Sequence, residues 1–130
     1  MIRPTLAALF ACLLVAGCSA HRSQADASDP YAGLAPEILA WRTDLQASHP
    51  ACRKAGKCGE FEVTCKGAQD ITPQERASGV TARLVAAMTF RASDAAGGQP
   101  GSAFATFSKS AAGWTRAPSP PVNLSSCAPV

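Results

Sequence analysis

The chain has 130 residues, 47% of them apolar, with 12 basic against 9 acidic side chains and a formal charge of +3. That length bounds it to one domain, and so small an excess of positive charge gives no field to recruit nucleic acid. Six cysteines, four of them after residue 50, suit an exported, disulfide-stapled module in an oxidising compartment better than a cytosolic protein.

The first element reads "MIRPTLAALFACLLVAGC". Arg3 precedes an apolar run from Leu6 to Ala16, the length of a secretory h-region and too short to span a bilayer as a permanent helix. A buried core helix would carry a polar face at a period near 3.6 residues, and this run has none. At its end, Val15-Ala16-Gly17-Cys18 resembles the lipobox of bacterial lipoproteins, with Val15 where leucine is commoner. The resemblance covers only the chain up to Ala20. It implies a signal peptide over residues 1–17, cleavage before Cys18, and a diacylglycerol on the Cys18 sulfur. Ser19 beside the lipidated cysteine implies release to the outer membrane, facing the periplasm. Burying each acyl methylene contributes about 0.8 kcal/mol, so the several chains of such an anchor hold nearly permanently. The alternative is an ordinary signal cleaved at a site such as Ala20.

From Ser19 to Gly33, "SAHRSQADASDPYAG" has no Ile, Leu, Val, Phe or Met, so residues 18–33 read as the lipidated cysteine and a flexible tether. Residues 34–130 then form a single small globular domain. Ile38, Trp41 and Leu45 recur at helical spacing, Pro36 suits a first turn, and His49-Pro50 stops the helix. Trp41, in phase with the other two, is assigned to the core. In "GEFEVTCKG", Phe61, Val63 and Cys65 alternate with polar residues and predict a strand with all three inward. Thr72, Pro73 and Glu75 form a capping box for a short helix that Gly79 stops.

The stretch Val80 to Ala92 fits either period; alternate polar positions decide for a strand. A meander follows through Ser102 to Lys109 and Trp114 to Ala117, with Phe104 and Phe107 on opposite faces. "PSPP" forces an extended crossing before "VNLSSC", an edge-strand candidate. The fold class is therefore α+β: an N-terminal helix packed on a small antiparallel sheet of four to five strands, stapled by disulfides. The late Gly113-Trp114 strand is similar to those of cystatin-like or nuclear-transport-factor-like folds, a likeness that carries no function.

Cys52, Cys58, Cys65 and Cys127 allow three pairings; Cys52 with Cys58 and Cys65 with Cys127 is preferred. Their spacing suits structural bridges better than a metal site, and neither a metal nor a cofactor is expected. Arg53, Lys54 and Lys57 then sit on a bridged loop, a candidate contact for an envelope protein or an anionic glycan or lipid. Only His21 and His49 could serve as bases, no nucleophile motif is present, and Glu60 with Glu62 read as surface charges. The expected function is a membrane-anchored envelope lipoprotein with a binding or scaffolding module and no chemistry of its own. The alternatives are an inhibitor or immunity-type lipoprotein blocking an envelope-degrading hydrolase, and a small periplasmic enzyme.

Overall fold

The structure, a computed structural model, describes residues 29–93 and 98–130. The leader, Cys18 and the tether as far as Ser28 lie outside the described residues. Three helices, α1 (Leu34–Ser48), α2 (Pro50–Ala55) and α3 (Pro73–Ala77), are interspersed with β1 (Cys58–Ala68), β2 (Ala82–Ala92), β3 (Gln99–Ser110) and β4 (Gly113–Pro118). The strands form one antiparallel sheet in the order β1-β2-β3-β4. With two disulfides, Cys52–Cys58 and Cys65–Cys127, this is an α+β protein with the preferred pairing.

Strand is the state of residues 82–92 because β2 is an inner strand covered on both faces. Leu84, Ala86, Met88 and Phe90 join one buried cluster, and Val85 and Ala87 join a second across the sheet. The first cluster also holds Leu34, Trp41 and Leu45 of α1, with Phe107 and Trp114. Trp41 meets Phe107 edge-on, ring centroids 5.7 Å apart. The second cluster includes Val122 and Cys127 from the C-terminal segment, with Cys65 and Phe104 packed against it.

Three expectations need correction. Cys65 does not share a face with Phe61 and Val63: the register slips between Val63, opposite Met88, and Cys65, opposite Ala87. One extra residue, Thr64, reverses the alternation and turns Cys65 toward Cys127. The segment "VNLSSC" forms no strand, so the sheet has four. Asn123 Oδ1 accepts from the N–H groups of Ser125 and Ser126, closing a turn whose sole ladder pairing among the described residues is the isolated bridge of Val122 to Pro129. Finally, the tether boundary at Gly33 is late. Asp29 Oδ1 accepts from Tyr31 N–H, Tyr31 packs against the main cluster, and Trp114 Nε1–H donates to Ala32 O at 2.9 Å. The composition lacked aliphatic residues, but one tyrosine and a backbone carbonyl were enough to fix the turn.

Gly101 lies under Phe90, where an added Cβ would overlap the ring, 2.8 Å from Cζ; at Gly59 a Cβ would meet nothing within 4 Å. Gly101→Ala should therefore destabilise by ~1–3 kcal/mol in urea unfolding, while Gly59→Ala should leave the midpoint nearly unchanged. Breaking Cys65–Cys127 by paired alanines should cost ~4 kcal/mol, and breaking Cys52–Cys58 ~2 kcal/mol, following the loops they close. A thermal melt insensitive to dithiothreitol would contradict both.

Candidate functional site

The sequence "HPACRKAGKC" builds a helical turn within the bridged loop expected. His49 is extended, ends α1 through its N–H to Leu45 O, and accepts the Ala51 N–H on Nδ1 at 3.2 Å to start α2. Pro50 occupies the first turn, where its missing N–H is no loss, and Gly56 at φ 79° ends it. These cues were present in the sequence; the bridge from Cys52 to Cys58 drew attention to loop closure instead.

Both flanks of the turn are tied to the fold. Cys58 N–H donates to Gln46 Oε1 of α1 at 2.9 Å, and Ser93 N–H donates to Lys57 O at 2.9 Å. Cys52 and Cys58 are buried, whereas Arg53, Lys54 and Lys57 are exposed. Arg53 and Lys54 fall in the last helical turn, where cations suit the free carbonyls.

These three cations lack the partners other basic residues have. Arg83 pairs with Glu75 at 3.3 Å, Arg91 with Glu60 at 3.0 Å, and Arg116 with Asp44. Arg42, Lys66 and Lys109 stand over the rings of Phe61, Tyr31 and Trp114. Among the described residues, Arg53, Lys54 and Lys57 form no ion pair and no ring contact, and their side chains make no hydrogen bond. Arg76 on α3 is also unpaired, but it stands singly.

The catalytic candidates are dispersed. The His49 ring packs edge-on to Phe90, 4.9 Å between centroids, and its Nδ1 is used as a cap. Glu60, at φ 54° in a second β1 bulge, is held by Arg91, and Glu62 is exposed opposite Thr89. Trp41 is buried. An open polar cleft of about 540 Å³ lies between the C-terminal turn and β1–β2, lined by Gly67, Asp70, Arg83 and Ser126 among others. Sequence reasoning missed it because it depends on where the Thr64 bulge sends Cys65. Among the described residues, the basic turn is where several like charges converge on a fixed backbone.

Comparison with protein-family models, with curated proteins and with solved structures finds no match for this chain.

The fold perturbs the ionisation of Glu75. Its carboxylate accepts the Thr72 N–H at 2.8 Å, which holds its pKa below the ordinary 4.5; the Thr72 hydroxyl and Arg83 act in the same direction. A depressed carboxyl pKa adds stability above the unfolded value, lost as pH falls through the folded one. Glu75→Gln should flatten that acid limb in melts taken from neutral pH to pH 3. Thr72→Ala, which removes the hydroxyl that accepts Glu75 N–H, should cost about 1 kcal/mol at neutral pH.

Proposed function

We propose that this chain is a membrane-anchored lipoprotein of the bacterial envelope, held through Cys18 and displaying a non-catalytic binding module at the outer membrane, on its periplasmic side. In this reading α1 is seated on the first face of the sheet, and the turn that follows it carries the contact surface. The observation that carries the proposal is the closure of the cysteine count. Cys52, Cys58, Cys65 and Cys127 pair with one another, so the described residues offer Cys18 no partner thiol. A cysteine directly after Val15-Ala16-Gly17, with no bridge to make, suits lipidation. The two bridges favour the same oxidising compartment.

The basic turn supports a binding role. Preorganised cations lose little freedom on meeting an anionic partner, because the Cys52–Cys58 bridge and the flanking hydrogen bonds have already ordered their backbone. Glu60 and His49 are engaged in structural contacts, which favours binding over chemistry.

Intact-mass analysis of protein produced in a bacterial host tests the anchor. The expected species begins at Cys18, lacks residues 1–17 and carries the added mass of a diacylglycerol with its acyl chains. A bare Cys18 thiol, or a retained leader, would refute the assignment.

A further inference from the structure

We propose that the turn bearing Arg53, Lys54 and Lys57 is a second attachment point, docking onto the anionic headgroups of the same bilayer that carries the Cys18 anchor. The inference rests on the anchored reading above and adds an orientation to it. Three observations favour a bilayer over a protein cleft.

First, among the described residues the charge of Arg53, Lys54 and Lys57 meets no carboxylate and is concentrated on one turn, while Arg83, Arg91 and Arg116 are each paired with one. Second, from His49 to Cys58 the turn contains no large aliphatic residue and no Trp, Tyr or Phe. Tight protein interfaces set arginine beside buried aromatic anchors, which the turn lacks, whereas headgroup phosphates need only cations. Third, the lengths agree. The described chain starts at Asp29 beside the first turn of α1, and the basic turn follows its last residue, Ser48. At 1.5 Å per residue α1 separates the two by ~20 Å, and the chain from Cys18 to Asp29 can extend at most ~40 Å. With α1 lying along the surface, both ends reach one leaflet. Leu39, 61% exposed, is the large apolar side chain that α1 leaves uncovered between them. The anchor also raises the local concentration of headgroups around the turn, so a weak contact suffices. Each Lys or Arg near an anionic surface adds roughly fivefold, and three together about a hundredfold.

The full lipidated protein should be reconstituted into vesicles of phosphatidylcholine alone or with about a third phosphatidylglycerol. Lysine acylation by a water-soluble reagent is then read by mass spectrometry, with Lys66 as internal reference. Flotation with neutral vesicles reads the anchor; failure there overturns the anchored reading itself. Given flotation, labelling of Lys54 and Lys57 relative to Lys66 should slow at least tenfold in the anionic vesicles only. The protection should vanish in 0.5 M salt and weaken about fivefold in Arg53→Gln. Equal labelling in the two vesicle types would overturn the docking proposal and leave the anchor intact. Protection that appears only when soluble poly-glutamate is added would also overturn it, assigning the turn to an acidic protein.

Discussion

Between Leu84 and Met88 five successive side chains are almost wholly removed from water, and a strand can do this only if each face of its sheet is covered separately. The two coverings are unequal. Over one face lie the aromatic and aliphatic side chains of the main cluster, with Trp41 against Phe107. Among the described residues, the other face is covered by the short C-terminal segment, contributing Val122 and Cys127, and so small a patch gains little from burial alone. The Cys65–Cys127 bridge compensates by holding that segment in place across a sequence separation of 62 residues. Gly67 marks how close the approach is: a Cβ there would come within 2.9 Å of Cys127 Cβ.

The second bridge acts locally. Cys52–Cys58 closes a turn that is already capped by His49 and ended by Gly56, and it directs Arg53, Lys54 and Lys57 outward while both sulfurs stay inside. Charge and fold are thus separated. Among the described residues, Arg76 apart, the other cations are absorbed into ion pairs or laid over aromatic rings, and those on the turn face outward without such a partner.

What the sequence displayed depended on how local the cause was. The α3 cap formed as read, since Thr72, Pro73 and Glu75 act within one turn. The face assignment of Phe104 and Phe107 needed only the two-residue period, and β3 has no irregularity to disturb it. Cys65 defeated the same rule because a bulge is an insertion in the pairing, visible only once the partner strand is known. The basic residues were identifiable as a group, but their freedom from carboxylates was not, because Glu60, Glu75 and Asp44 find arginines distant in the sequence or on other elements.

The irregular outer strand has a bearing on how copies of the chain can associate. β1 forms one border of the sheet, and a straight border of unpaired amides is a template on which neighbouring copies zip together. Here the spacing of those amides is broken twice, and Glu60, Glu62 and Lys66 project along the same margin. An incoming copy would therefore meet charge and broken spacing along β1 instead of a regular strand to extend.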